Sequence, residues 1–157
     1  MIRIRPAAPG DGAVLWQTTR ALAEDHNHLD DFTATAYDFE RALFASQPII
    51  GAFIATWHDT AAGTAIWQRS FSSFRGRETM YLEDLLVLPE FRKRGIGRAL
   101  LIEVAKLAVA RGIPAVSWLM MGWNDGARRI YTAAGAEIEN DNCYCRLHGA
   151  ALKALAA

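Results

Sequence analysis

Cysteine is scarce in this chain: Cys143 and Cys145 are the two residues of that type, one position apart. They are too few and too close to frame a disulfide-stapled domain. On a strand their spacing points both to one face, and they read as reduced packing residues, with a redox pair or a transient acyl-cysteine as the alternatives. Long apolar runs are missing too. None approaches the ~20 residues of a membrane helix, and Met1-Ile2-Arg3-Ile4-Arg5 is not a secretory signal, so no membrane partner and a cytoplasmic location are expected. There is no excess of either charge, seventeen basic residues standing against seventeen acidic ones. A nucleic-acid binder normally shows a basic surplus or stripe, so no nucleic-acid partner is expected. Repeats and linkers are absent, and 157 residues suffice for one core but not for two. The expectation is a single domain over 1–157.

What is present reads as alternating strands and helices. Ile2 to Arg5 alternates as a strand, and Pro6 to Gly12 breaks it. Val14, Leu15, Thr18 and Leu22 then share one side of a helix that ends near Asp25. A polar connection follows, His26 to Thr33, and Thr35-Ala36-Tyr37-Asp38 opens a second helix with a capping box. Ile49–Trp57 and Gly63–Ser70 read as an antiparallel hairpin around His58–Ala62. Met80 to Leu88 is the most apolar strand, and a long helix ends near Arg111-Gly112. Pro114 to Met121 is expected as a strand, Asn124 to Ala134 as a helix stopped at Gly135, and two further strand-like segments start at Glu137 and near Cys143. The alanine-rich tail either forms a last helical turn or frays. This order argues for a three-layer α/β domain with a mixed sheet.

The most informative stretch runs from Tyr81 to Arg98, a strand, a tight turn and a helix start, with Arg92-x-x-Gly95-x-Gly97 at the junction. Amides of a helix's first turn lack partners inside the helix, and the dipole there favours an anion. Glycines let backbone approach a bulky phosphate, and consecutive N–H groups form a nest for its oxygens. Arg92, Lys93, Arg94 and Arg98 add positive charge. A diphosphate is the ligand such a turn suits. Taken alone the motif reads equally as a turn with a solvated basic patch. A dinucleotide fingerprint would need a third glycine and an early place in a βαβ unit, and the glycine-lysine-serine/threonine of a P-loop is missing.

In its context, Arg92-x-x-Gly95-x-Gly97 resembles the acetyl-CoA signature of the GNAT superfamily of N-acetyltransferases. The words Tyr81-Leu82-Glu83-Asp84-Leu85, Trp123-Asn124 and Tyr131-x-x-x-Gly135-Ala136 are similar to its spermidine/spermine and thialysine branch. The resemblance implies a three-layer α/β fold whose mixed, mostly antiparallel central sheet has seven strands, is splayed at the acetyl-CoA site and is flanked by helices. It implies cofactor contacts from Leu86, Val87 and Leu88, with the backbone of Leu86 and Leu88 pairing with the pantetheine arm and the Leu86 amide polarising the acetyl carbonyl. It implies that Arg92, Lys93, Arg94, Gly95, Ile96, Gly97 and Arg98 hold the pyrophosphate, and that Asn124 caps its helix and reaches the pantetheine. With the apolar C-terminal strand and tail, it also implies a homodimer.

Acyl transfer from a thioester to an amine needs the amine neutral, although a free alkylammonium has a pKa of about 10.4. It also needs a donor for the oxyanion and a proton for the thiolate. By resemblance Tyr131 protonates the leaving thiolate, its phenol being a donor with a pKa near 10. Packing of its helix on the sheet is the other role open to it. Glu83 and Asp84 are expected on opposite faces of their strand. By resemblance Glu83 is the one that receives the amine's proton, with Asp84 structural or holding a cation on the other side. The connection carrying Glu24, Asp25, Asp30 and Asp31 roofs the acceptor site in the family, which suggests a polyamine or a lysine-like amine. A solvated acidic loop explains the same residues. His26-x-His28 lacks a third and a fourth ligand, and no metal is expected. The resemblance leaves out Glu139–Cys145, which does not reproduce the polyamine-binding word of the branch. Acetylation of protein N-termini or lysines, and non-catalytic acetyl-CoA binding, remain as alternatives.

Overall fold

Five strands and five helices carry the chain, in a computed structural model that describes residues 1–156. Two compact units divide it, Met1–Met121 and Gly122–Ala157. In the first unit the strands are β1 (Ile2–Pro6), β2 (Gly51–Trp57), β3 (Thr60–Ser72), β4 (Arg77–Val87) and β5 (Val116–Ser117). They line up in sequence order, with three antiparallel pairings and a parallel one between β4 and β5. The helices of this unit are α1 (Gly12–Asp25), α2 (Ala36–Phe44) and α3 (Ile96–Ala110).

The continuous apolar run Ala52-Phe53-Ile54-Ala55 is buried throughout, as expected of a strand covered on both faces. Ala52 and Ile54 of β2 and Ile66 of β3 pack on Leu15 of α1 and Leu43 of α2. Strand alternation turns the intervening Phe53, Ala55 and Ala65 to the other face. There α3 lies against β2, β3 and β4, burying Ile96, Leu100, Leu101, Val104 and Ala108. Burial on both faces closes the three-layer arrangement. A polar tie crosses the first layer: Thr18 of α1 and Thr64 of β3, both buried, meet hydroxyl to hydroxyl at 2.9 Å.

Local chemistry explains the element ends. Thr35 caps α2 with the anticipated reciprocal box, its hydroxyl accepting from the Asp38 amide while the Asp38 carboxylate accepts from the Thr35 amide. The β2–β3 turn is tighter than its sequence suggested. Only His58 and Asp59 lie outside the strands, and both are left-handed, with φ of 47° and 67°. Two positive-φ residues match the twist of the flanking strands, so Thr60 to Ala62 are recruited into β3 instead of the turn.

Gly63 sits where β3 crosses the end of β4. A Cβ there would run into the Leu86 carbonyl oxygen and lie 3.2 Å from the Val87 Cα, both backbone atoms that cannot rotate away. Gly63→Ala is therefore expected to destabilise the fold by about 2 kcal/mol, within the overpacking range. Denaturant titration reads this as a lower midpoint at unchanged slope, and an unshifted midpoint would refute it.

The second unit holds α4 (Asp125–Ala133) and α5 (Gly149–Leu155). Asn124 caps α4, its Oδ1 accepting from the Ala127 amide at 3.0 Å. Gly135, at φ 86°, ends it in a Schellman arrangement, with Ala136 N–H bonded to Tyr131 C=O and Gly135 N–H to Thr132 C=O.

Three strand expectations need correcting. Pro114–Met121 yields only the two residues of β5. Among the described residues neither the segment from Glu137 nor Cys143–His148 forms a strand, so the sheet has five strands and not seven. The physical reason is local. Glu139-Asn140-Asp141-Asn142 has poor strand propensity, and the run after it, though Cys143, Cys145 and Leu147 alternate, stays exposed. Cys143 and Cys145 are free and exposed, which removes the packing role. The tail folds as α5.

Candidate active site

The site begins at an irregularity in β4. Ile66 of β3 pairs with Asp84, but the next residue, Trp67, pairs with Leu82, leaving Glu83 as an extra residue. This is a β-bulge, which kinks a strand and redirects its side chains. The expectation that Glu83 and Asp84 point to opposite faces is corrected by it. Asp84 stands across from Ile66, hence on the face covered by α1 and α2. Gln68, two residues from Ile66 and so on the same face, donates from Nε2 to Glu83 Oε2 at 3.2 Å. Both carboxylates thus occupy the α1–α2 face. Their environments differ. Glu83 is exposed, whereas Asp84 is half-buried and makes no hydrogen bond or ion pair among the described residues. Burial, then the adjacent Glu83 charge, pushes the Asp84 carboxyl up to about 6.

Past the bulge, β4 has an open edge. The β4–β5 ladder consists of Met80 with Val116 and Tyr81 with Ser117. Beyond Tyr81 the side of β4 away from β3 carries no strand among the described residues. The groups presented there are not those expected. Leu88 N–H donates to Ala62 C=O at 2.9 Å, and alternation turns Leu86, paired with Thr64, toward β3 as well. Val87 C=O faces the other way, since it accepts from Arg92 Nε at 3.1 Å. The edge-facing backbone is therefore that of Leu85 and Val87, in place of Leu86 and Leu88. A one-residue bulge is enough to exchange the two sets.

A 3-10 turn, Pro89–Phe91, then leads into the glycine-bearing loop. Lys93 and Gly95 are both left-handed, at φ 61° and 81°, and Gly95 is the N-cap of α3. No side chain caps this helix, and no acidic residue sits in its first turn. The amides of Ile96, Gly97 and Arg98 thus remain available to an anion, while the Ile96 side chain is anchored in the core. A left-handed lysine is uncommon, and such conformations collect at ligand clamps.

The four cations of the loop divide into two pairs. Arg92 is committed to protein: besides Val87 C=O, its guanidinium holds the carboxylate of Asp25, the last residue of α1. Arg94 lies over the Trp57 ring, 5.0 Å from its centroid, and reaches Glu90 C=O. Lys93 and Arg98 are exposed and, among the described residues, make no hydrogen bond or ion pair. They are the loop's free positive charges.

Of the acidic connection after α1, Asp25 is paired with Arg92, and Asp31 accepts from His28 Nδ1 at 3.1 Å. Trp16 anchors this connection, donating from Nε1 to Ala34 C=O at 2.8 Å. No metal-binding cluster of His, Cys, Asp or Glu occurs among the described residues. In the second unit, Tyr131 on α4 is buried, and burial raises its phenol above the ordinary value. It stays protonated, a hydrogen-bond donor, throughout the neutral range.

A strand opened at its edge beyond a bulge, running into an anion-accepting helix start, is the frame of an acyl-CoA-dependent transferase. Residues 15–136 match the Acetyltransferase (GNAT) family, and the chain belongs to it. It is similar to bovine (Bos taurus) thialysine N-epsilon-acetyltransferase, 29% identical over 99% of this chain and 97% of that protein. It is also similar to L-ornithine N5-acetyltransferase of Arabidopsis thaliana, 35% identical over 60% of this chain, where the match spans 41% of the plant protein's length. Among solved structures, an integron cassette protein from the mobile metagenome of V. cholerae superimposes with a TM-score of 0.79 at 24% identity, over 99% of this chain and 97% of that one. An aminoglycoside acetyltransferase from an uncultured soil sample gives 0.78 at 18%, over 94% and 97%. These two share the fold.

Proposed function

We propose that the protein is a single-domain enzyme that transfers the acetyl group of acetyl-CoA to a primary amine of a small molecule, in the polyamine, ornithine-like or lysine-like class. The observation that carries this reading is the pair of carboxylates at the β4 bulge, placed beside an open strand edge and an uncapped helix start. Negative charge on the α1–α2 face suits a cationic acceptor, and relatives named for ornithine and thialysine acetylation favour the same class.

The residues fit the cofactor. The amides of Ile96, Gly97 and Arg98, with Lys93 and Arg98, would hold the pyrophosphate, and the backbone of Leu85 and Val87 would pair with the pantetheine amides. Arg92 and Arg94 shape this loop through Asp25 and Trp57. Bound there, acetyl-CoA supplies the activated acyl carbon. Glu83 meets the acceptor's ammonium and draws off a proton, which an amine must lose before it can attack. Asn124 fixes the start of α4, and Tyr131 protonates the departing thiolate.

Homodimer formation and a cytoplasmic location belong to the same reading. Acetylation of protein N-termini is the less favoured alternative, because the relatives that match most of the chain are named for a small amine. The test is a panel of polyamines, ornithine, lysine analogues and short peptides, with CoA release as readout. Turnover of diamines or ornithine-like amines is expected. Turnover confined to peptides, or acetyl-CoA binding without turnover of any amine, would overturn the reading.

A further inference from the structure

Asp84 is a carboxylate whose placement the fold does not explain. It lies across from Ile66 on the α1–α2 face, losing hydration without gaining a hydrogen bond or a counter-ion among the described residues. A desolvated carboxylate without a partner works against folding, and such groups collect at functional sites. On β3 it faces Ile66; beside it on β4, Glu83 is the charged residue that acts on it. On α1, Thr18 is bonded to Thr64, and Asp25 to Arg92. Among the described residues no cation pairs with Asp84, and the acceptor proposed above is a cation.

We propose that Glu83 and Asp84 form one proton path, in which exposed Glu83 meets the acceptor's ammonium and Asp84, behind it on the same face, holds the proton taken from it. The inference rests on the small-amine reading. An N–H bond of the ammonium breaks and, through Glu83, an O–H bond forms on Asp84. The freed lone pair forms a bond to the thioester carbon, and the C–S bond breaks as the Tyr131 hydroxyl gives its proton to sulfur. The nitrogen, cationic again once the C–N bond has formed, returns a proton to the Tyr131 oxygen. The proton on Asp84 leaves through Glu83 to solvent. One proton is released per turnover, as the overall reaction requires. Two neighbouring carboxylates cannot both ionise freely, so the pair keeps a proton-holding member closer to neutrality than an exposed glutamate, a better match to a general base.

Asp84→Asn keeps the shape and cannot accept the proton. It is expected to lower kcat/KM at pH 7 by about tenfold, less than a full general-base contribution of about a hundredfold or more, because Glu83 remains. The loss should shrink as pH rises and the amine arrives neutral. Stability moves the other way, and the sign follows from the raised carboxyl. Folding disfavours the ionised form, so its cost is fully present above about pH 6 and disappears below the unfolded value near 3.9. The variant should therefore melt higher than the parent at pH 8 and at the same temperature at pH 3.5.

Carbon NMR of the Asp84 carboxyl supplies a readout independent of turnover. It should titrate near 6, and its signal should move when 1,4-diaminobutane is added. A carboxyl titrating near 4 and unmoved by the diamine would overturn the assignment, as would a variant whose kcat/KM stays within about threefold of the parent at pH 7. Failure of the acceptor panel with a carboxyl that still titrates near 6 and responds to the diamine would overturn the enzymatic reading and leave the amine site standing.

Discussion

Tyr131→Phe is expected to lower kcat by roughly a hundredfold while acetyl-CoA affinity stays close to that of the parent, the usual size of one general-acid contribution. The substitution removes one hydroxyl and keeps a ring that is already buried, so packing should survive. Burial raises the Tyr131 phenol, which fixes the sign of the pH dependence. Any alkaline loss of rate from this residue should therefore set in at higher pH than for a free phenol. The measurement is kcat for variant and parent with the best amine of the panel, alongside calorimetric binding of acetyl-CoA. A folded variant that binds the cofactor and turns over within about threefold of the parent would remove the acid role and leave Tyr131 as packing.

The second large effect is expected at the glycine-bearing loop that opens α3. Gly97 lies in the first turn of α3, whose start has neither a side-chain cap nor an acidic residue. Gly97→Glu places a carboxylate where the pyrophosphate would sit, and should weaken acetyl-CoA binding by more than tenfold, above about 1.4 kcal/mol. The same charge at a helix N-terminus interacts favourably with the dipole, by about 0.3–1 kcal/mol, and replacing glycine within a helix adds to that. Thermal stability should therefore hold or rise while affinity falls, a combination that a misfolded variant cannot produce. Unchanged affinity by calorimetry would exclude this turn as the phosphate site.

How legible the molecule was depended on the range of the interaction that decides each feature. The Thr35–Asp38 box, the Asn124 cap and the Gly135 stop are settled within a few residues of chain, and each was readable. The His58-Asp59 turn was readable in kind but not in length, because strand pairing sets where the turn ends. The segments from Glu137 and near Cys143 show the opposite error: their strand-like pattern was read locally, but among the described residues no neighbouring strand pairs with them.

The amino-acid sequence by itself determined the family, the α/β order of elements, the glycine-bearing turn before α3 and the acid-rich word on β4, since these rest on periodicity, capping and a contiguous motif. Only the tertiary structure decided which groups of that motif are free to act. The bulge at Glu83 arises from the pairing of β3 with β4, Ile66 with Asp84 and Trp67 with Leu82, and not from the residues next to it in the chain. It shifts the alternation by one, which brings both carboxylates to one face and turns Leu85 and Val87 to the open edge. Arg92, read from its motif as a phosphate ligand, is held by Asp25 across 67 positions of sequence. Charge and hydrogen-bonding capacity are written in the residue type. Whether they are already spent on a partner is settled only when the chain has folded.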